Sequence, residues 1–182
     1  MPVKLPDKKL VASFDVDAQN TFTPVCPDEL PVHEGDRIVP ELNRQAEFAS
    51  VRIASRDAHS VSAVWLASEE KPQYSPVDGH PNADIHWAAH AIVGTKGFEF
   101  IDGLDEKKYD YQVYKGIQPD MHPYGACYHD LGNTLSTGVI EYLKQKGITT
   151  VIVGGLATDY CVKNNALQLA DAGFAVVLEL CS

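Results

Sequence analysis

Short apolar runs alternate along the chain with segments in which apolar residues recur every three or four positions. The apolar runs predict strands over residues 10–16, 51–55, 109–114, 149–153 and 174–180. The periodic segments predict helices over 36–49, from Asn133 or Thr134 to a stop at Gly147, and over 158–172. Because strands that alternate with helices form a mostly parallel sheet covered on both faces, the pattern predicts a three-layer α/β/α fold with a doubly wound sheet.

The helical period also predicts which helix faces are buried. In the second predicted helix the inward positions are Leu135, Val139, Ile140 and Leu143. In the third they are Val162, Ala166, Leu169 and Ala170. Both faces are expected to pack on the sheet.

One region interrupts this alternation. Residues 60–103 are rich in Pro, Gly, Ser and His and have no long periodic segment, which predicts a loop-rich excursion. The chain has 182 residues, a length that suits one domain. We therefore expect a single domain over residues 1–182 that carries this excursion.

The net charge of the chain excludes some classes of binding partner. With 15 basic and 25 acidic residues the net charge is −10, so nucleic acid and anionic membrane surfaces are not expected partners. No window is apolar over the roughly 18 residues that a bilayer span needs, and the first residues do not resemble a signal peptide. Four scattered cysteines without a C-x-x-C pair predict a reduced, cytoplasmic protein.

Reactive side chains follow four of the predicted strands. Asp17 follows the first strand, Asp57 and His59 the second, Lys115 the third and Cys161 the fourth. The carboxyl ends of parallel strands lie at one edge of a sheet, where ligands bind. The sequence therefore predicts that these five side chains share one edge.

Three of these residues suit covalent catalysis, and each also has a structural alternative. Cys161 lies near a helix start, where free N–H groups would lower the thiol pKa and favour the nucleophilic thiolate; the alternative is a buried apolar cysteine. Lys115 could stabilise a thiolate or a substrate anion, or lie in solvent. Asp17 could accept a thiol proton and return it to a leaving group, or form a turn.

The other two residues suit a metal ion. Asp57 and His59 form a D-x-H pair, and His80, His86 or His90 could add a further ligand. Two histidines and one carboxylate suit a first-row metal with water in the open positions. Spacing alone leaves the third ligand open, and unconnected surface residues are the alternative.

The end of the first strand allows a different interpretation. Asp15 and Asp17 form a D-x-D pair that resembles the haloacid-dehalogenase phosphatases, in which the first Asp is the nucleophile. That family has Thr or Val where this chain has Gln19, and a late acidic pair for Mg²⁺ where only Asp159 follows the fourth strand. Both departures disfavour this alternative.

Five segments in chain order resemble the isochorismatase-like cysteine hydrolases and, within them, the nicotinamidase/pyrazinamidase family. They are DAQNTF, SRDAH, WAAHAIVGTKGFEF, VYKG and GLATDYCV. The resemblance implies an isochorismatase-like fold and hydrolysis of nicotinamide to nicotinate and ammonia through a cysteine thioester. A related hydrolase of another aromatic carboxamide or of an N-carbamoyl compound is the alternative.

The resemblance also implies roles for particular residues. The implied catalytic triad is Asp17, Lys115 and Cys161. An oxyanion hole is implied at the N–H groups of Ala157 and Cys161, after a cis peptide bond between Leu156 and Ala157. The implied metal ligands are Asp57, His59 and His90, with Zn²⁺ favoured and Fe²⁺ or Mn²⁺ as alternatives. The implied substrate-binding aromatics, for a small aromatic amide, are Phe22, Trp87 and Tyr124.

The chain departs from the family pattern in three places. Ala58 and Ser60 flank His59 where the family often has an aromatic residue and a proline. This difference predicts that the wall of the substrate pocket is smaller or differently built there. Gly125 stands where many members have Ser. The sequence ends at Ser182, without the helix that many members carry after the last strand. Either the recorded chain is short or another subunit covers that edge, so a homo-oligomer is one expectation.

Overall fold

A five-stranded sheet forms the centre of the computed structural model, which describes residues 3–179. Its strands are β1 (Val11–Val16), β2 (Val51–Asp57), β3 (Tyr111–Lys115), β4 (Thr150–Gly155) and β5 (Ala175–Leu178). All neighbours pair in parallel, in the order β3-β2-β1-β4-β5. The helices are α1 (Val39–Ala46), α2 (Val139–Gln145) and α3 (Lys163–Asp171). The predicted α/β fold with a parallel sheet is confirmed.

Helices cover the sheet on both faces. Phe14 of β1 belongs to the larger core, which also contains Leu143 of α2 and Leu169 of α3. Asp15 points to the opposite face, where Gln45 of α1 donates a hydrogen bond to its carboxylate at 2.8 Å. All six residues of β1 are buried, as expected for a central strand covered on both sides.

A buried ion pair fastens the α1 face of the sheet. The Asp15 carboxylate accepts hydrogen bonds from Arg52 at 2.6 and 3.0 Å and from the Tyr109 hydroxyl at 2.8 Å. The Asp15 side chain is fully buried, and the Arg52 side chain is 10% exposed. Because Asp15 is committed to this network on the α1 face, the phosphatase interpretation, which needs it as a nucleophile beside Asp17, is wrong.

The helix predicted from Asn133 or Thr134 begins later, at Val139. The Asp130 carboxylate accepts hydrogen bonds from the backbone N–H groups of Thr134 and Leu135, at 2.9 and 2.8 Å. Asn133 adopts a left-handed conformation, with φ of 55°. These local bonds give the backbone an alternative to the helix, so Leu135 is exposed rather than buried. The predicted stop at Gly147, where φ is 72°, is confirmed.

The other two predicted helices also differ at their ends. A 3-10 turn, Gly35–Ile38, precedes α1, and α1 ends at Ala46 rather than at residue 49. A π-helical turn, Thr158–Val162, precedes α3. On α3 the predicted inward residue Ala170 is exposed. Gln168 is buried instead, and its side-chain oxygen accepts a hydrogen bond from the N–H of Cys127 at 3.1 Å. The last strand ends at Leu178, and its predicted end at residue 180 lies outside the described residues.

Residues 60–103 form neither a helix nor a strand. They are held by isolated bridges, such as Leu66 with Trp87, and by a small core that includes Trp65 and Ala83. A connection this long is uncommon in compact domains unless it serves a binding or catalytic role. None of the helices within residues 3–179 has the length and the apolar character that a bilayer span requires.

The Arg52→Met variant tests the buried ion pair. Removing the guanidinium leaves the Asp15 carboxylate buried without its charge partner, so the free energy of unfolding should fall by about 3–5 kcal/mol. Urea unfolding followed by circular dichroism measures this loss. The control is Arg37→Met, because Arg37 pairs with Glu34 on the surface with 73% of its side chain exposed, and such pairs contribute about 0–1 kcal/mol. Equal losses in the two variants would contradict the role given to Arg52.

Candidate active site

The site lies where the sheet changes its winding direction. β1 and β4 are neighbours, but from β1 the chain proceeds to β2 on one side and from β4 to β5 on the other. Such a switch point opens a crevice at the carboxyl ends of the two strands. Asp17 follows β1 and Cys161 follows β4, while Asp57 and Lys115 end β2 and β3. The structure therefore brings the predicted strand-end residues to one edge.

The ammonium group of Lys115 lies at the centre of this group. Its Nζ is 3.1 Å from Oδ2 of Asp17 and 3.6 Å from Sγ of Cys161. It also forms a close ion pair with Asp57. The Lys115 side chain is only 1% exposed, so the solvated surface lysine considered above is excluded.

Asp17 is positioned by its backbone and by a serine that sequence reasoning missed. Asp17 is left-handed, with φ of 45°. The Ser55 hydroxyl donates to Oδ1 of Asp17 at 2.7 Å, and the Asp17 N–H is bonded to the Ser55 carbonyl at 3.1 Å. These contacts leave Oδ2 directed toward Lys115. The only feature of the sequence that could have indicated this role is the place of Ser55 inside a buried strand, two residues before Asp57.

Gln19 joins the ends of β1 and β2. Its side-chain oxygen accepts from the N–H of Asp57 at 2.7 Å, and its side-chain nitrogen donates to the Asp57 carbonyl at 2.9 Å. The same nitrogen donates to the Phe98 carbonyl at 2.9 Å. Gln19 thus fixes the backbone that carries Asp57.

Burial favours the protonated form of the Cys161 thiol. Burial raises its pKa well above the ordinary value, and the ammonium of Lys115 opposes this without overcoming it. The expectation that a helix start makes this cysteine a thiolate is therefore wrong, because Cys161 is buried within the π-helical turn. Near neutral pH sulfur can therefore attack only if a neighbouring base accepts the thiol proton, whereas at high pH the thiol ionises without one.

The carboxylates respond differently to the same environment. Burial raises the pKa of Asp17, and Asp57 adds to that rise while Lys115 opposes it. Burial also disfavours charge on Asp57, but Lys115 and His59 outweigh it and hold its pKa well below the ordinary value. Burial opposes charge on Lys115 as well, yet the two carboxylates raise its pKa well above normal. Asp57 therefore keeps its charge firmly, whereas Asp17 takes up a proton more readily.

Beside this group is a cluster of three histidines. Ligand nitrogens of His59, His90 and His122 lie within 4.8 Å of one another, and all three residues are buried. Asp57 borders the cluster, with Oδ1 3.2 Å from Nε2 of His59 and Oδ2 3.8 Å from Nε2 of His90. His80 and His86 are not part of it. Sequence reasoning missed His122, whose only signal is its place two residues before Tyr124.

The residues of this cluster suit a divalent metal ion. Nδ1 of His59 is 3.1 Å from the Gly116 carbonyl, and Nδ1 of His90 is 2.7 Å from the Ala88 carbonyl. Such bonds fix the ring orientation and leave Nε2 available as a ligand. Burial lowers the pKa of His90 to about 3, so its ring is in the neutral, metal-binding form. Nε2 of His59 and both nitrogens of His122 have no hydrogen-bond partner among the described residues.

A cavity of about 200 Å³ opens between the nucleophile and the histidine cluster. It is smaller than the roughly 300–1,000 Å³ that drug-sized ligands occupy, so it suits a small molecule. Its lining includes the predicted aromatics Phe22, Trp87 and Tyr124, together with Tyr74 and Tyr160. The Tyr160 ring meets the Trp87 ring edge-on at 5.1 Å. The aromatic walls therefore favour a flat ring.

The backbone before Cys161 is also open to a ligand. The Leu156–Ala157 peptide bond is cis, as the resemblance implies. The Ala157 N–H has no hydrogen-bond acceptor within residues 3–179, and both Ala157 and Cys161 line the cavity. A free N–H beside the sulfur can bind an oxygen that gains negative charge.

Comparison with known proteins now decides the family. An isochorismatase domain model matches residues 12–179. The chain belongs to the isochorismatase family. The nicotinamidase of Escherichia coli is 33% identical over 168 residues, which cover 88% of this chain and 76% of that protein.

Two solved structures show the same likeness. The nicotinamidase/pyrazinamidase of Acinetobacter baumanii is 29% identical, with a TM-score of 0.82 over 97% of this chain and 88% of that one. A pyrazinamidase of Pyrococcus horikoshii in complex with zinc is 29% identical, with a TM-score of 0.70 over 93% of this chain and 83% of that one.

Two departures from the pattern of this isochorismatase family have a structural cause. The small Ala58 and Ser60 leave the histidine wall to Trp65, whose fully buried ring lies edge-on to His59 at 4.6 Å. A Cβ atom at Gly125 would lie 2.2 Å from Oε1 of Gln168. A serine at that position would therefore displace the Gln168 side chain, which is bonded to the Cys127 N–H and to the Asn133 side chain.

Alkylation of Cys161 by iodoacetamide should respond in opposite directions to the loss of its two charged neighbours. Lys115→Met removes a cation that lowers the thiol pKa, so labelling should move to higher pH. Asp17→Asn removes an anion that raises the thiol pKa, so labelling should move to lower pH. Mass spectrometry of the Cys161 peptide across pH gives both profiles. Lys96→Met, on the surface, is the control, and a move to higher pH in Asp17→Asn would contradict this charge arrangement.

Proposed function

We propose that this chain is a nicotinamidase, which hydrolyses nicotinamide to nicotinate and ammonia within one hydrolase domain. The observation that carries the proposal is the meeting of Asp17, Lys115 and Cys161, of which Cys161 lines a small aromatic cavity. Similarity to several nicotinamidases over most of the chain supports it. A cytoplasmic location and a homo-oligomer stay predictions.

The first half of the proposed reaction forms a thioester. Asp17 accepts the proton of the Cys161 thiol, and the ammonium of Lys115 stabilises the developing thiolate. Sulfur forms a bond to the amide carbon, and the carbonyl oxygen becomes an oxyanion against the N–H groups of Ala157 and Cys161. Asp17 returns its proton to the amide nitrogen as the carbon–nitrogen bond breaks, so ammonia leaves.

The second half regenerates the enzyme. Asp17 accepts a proton from water as the water oxygen attacks the thioester carbon. The carbon–sulfur bond then breaks, sulfur recovers a proton from Asp17, and nicotinate leaves. The raised pKa of Asp17 suits this alternation between base and acid.

The cavity walls and the histidine cluster position the ring in this proposal. Phe22, Trp87 and Tyr124 enclose the flat ring and exclude water. A divalent metal held by Asp57, His59 and His90, with Zn²⁺ favoured over Fe²⁺ or Mn²⁺, would supply a Lewis acid for the pyridine nitrogen. The ring nitrogen and the amide are then fixed at opposite ends of the cavity.

Ammonia release from nicotinamide tests the reaction and its nucleophile together. The wild-type protein with Zn²⁺ should release ammonia, and Cys161→Ala should release none above background, because no other group can form the thioester. Cys26→Ala, which removes a partly exposed cysteine away from the cavity, is the control and should keep full activity. Release by Cys161→Ala at more than a few per cent of the wild-type rate would contradict the nucleophile. No release by the wild type would discard the substrate, and other amides would then be screened.

Benzamide tests the role of the ring nitrogen. Benzamide keeps an aromatic ring and the amide of nicotinamide but has no ring nitrogen. Its kcat/KM should be lower than that of nicotinamide by at least about 100-fold, because the buried metal that would bind the nitrogen is left without this partner. Pyrazinamide, which retains a nitrogen at the same ring position, is the control and should be hydrolysed. Equal kcat/KM values for benzamide and nicotinamide would show that the cluster does not orient the ring.

A further inference from the structure

His122 is a buried imidazole that the proposed mechanism does not use. The residue is 4% exposed, and neither of its ring nitrogens has a hydrogen-bond partner among the described residues. A neutral imidazole carries one N–H donor and one acceptor nitrogen. Buried polar groups are nearly always paired, so two unpaired nitrogens on one ring point to a missing partner.

The position of the ring indicates what that partner is. A ligand nitrogen of His122 lies within 4.8 Å of ligand nitrogens of His59 and His90. Bonds of about 2.0–2.1 Å hold two nitrogens on one zinc ion within about 4.2 Å of each other. A small inward movement of the rings therefore lets one ion reach all three.

The surrounding structure holds His122 in this position. The Trp65 ring packs edge-on against His122 at 4.4 Å and against His59 at 4.6 Å. The Trp65 indole N–H donates to the carbonyl of Met121, the preceding residue, at 3.2 Å. The backbone N–H of His122 donates to the Asn82 carbonyl at 2.6 Å. The backbone of His122 and one edge of its ring are thus held in place by packing, without a hydrogen bond to either ring nitrogen.

We propose that His122 is a further ligand of the metal ion, so that three imidazoles and the Asp57 carboxylate form the donor set. This inference rests on the metal site of the proposed function and extends it. Four protein ligands leave fewer positions for water than three. Imidazole-rich sites also favour Zn²⁺ over Mn²⁺, so a third histidine biases the site toward zinc.

The competing role for His122 is a wall of the cavity. Its ring lies nearly parallel to the Trp87 ring, with centroids 5.9 Å apart and planes at 19°, and it lines the cavity. His122→Phe separates the two roles, because phenylalanine keeps an aromatic ring at this position and removes both nitrogens. A wall residue tolerates this change, whereas a ligand does not.

Zinc affinity measured without substrate gives the test. Protein stripped with a chelator is titrated with Zn²⁺ in competition with a chromophoric chelator, for the wild type, His122→Phe and His86→Phe. His86 is the matched control, because it is also buried and has an unpaired Nε2 but lies outside the cluster. Loss of an outer-shell partner weakens metal binding by about 10–100-fold, so loss of a ligand in His122→Phe should weaken it by about 100-fold or more. His86→Phe should bind as the wild type does.

X-ray absorption of the zinc-loaded wild type gives a measurement that needs no variant. Three imidazoles around zinc support the inference, and two overturn it, as does unchanged affinity in His122→Phe. Neither of those results would contradict the proposed hydrolysis of nicotinamide, because ammonia release is measured separately. A wild type that binds no zinc overturns this inference together with the proposed metal site.

Discussion

The buried ammonium of Lys115 holds together charges that could not otherwise share one site. It contacts both Asp17 and Asp57, and all three side chains are almost completely buried. A buried ion without a partner costs several kcal/mol, so two adjacent carboxylates need a cation between them. Asp57 raises the pKa of Asp17, and Lys115 opposes that effect. The charge state of the base therefore depends on the lysine as much as on the carboxylate itself.

The strand order determines which residue type can perform this task. β2 lies between β3, which ends at Lys115, and β1, which precedes Asp17. A group at the end of β3 must therefore reach past the end of β2 to contact a residue beyond β1. Lysine places a compact charge at the end of a long unbranched stem, and here the same charge also meets the sulfur that follows β4.

The sequence predicted the site residues that directly follow strands. It predicted less well those features that depend on contacts between residues distant in the chain. Asp17, Asp57, Lys115 and Cys161 converge as predicted because parallel strands place their ends together. The thiolate expectation failed because burial, which no local motif reports, outweighs the helix start. The helix expected from residue 133 failed because the Asp130 carboxylate binds the backbone locally. His122 was missed because contacts with residues distant in the chain, among them Trp65 and Asn82, bring it to His59.

Asp57 connects the two halves of the site. Its Oδ1 faces Lys115 and His59, and its Oδ2 faces His90, so one carboxylate belongs both to the nucleophile group and to the histidine cluster. A charge bound among the histidines would therefore be felt at Lys115 and, through it, at the sulfur. The carboxylate can serve both sides only if its backbone is fixed, and Gln19 fixes it with two hydrogen bonds. Gln19 lies two residues after Asp17 and three before Phe22. One short turn after β1 thus supplies the base Asp17, the residue Gln19 that holds the Asp57 backbone, and Phe22 in the cavity wall. These three roles give a physical reason for the spacing of the segment DAQNTF.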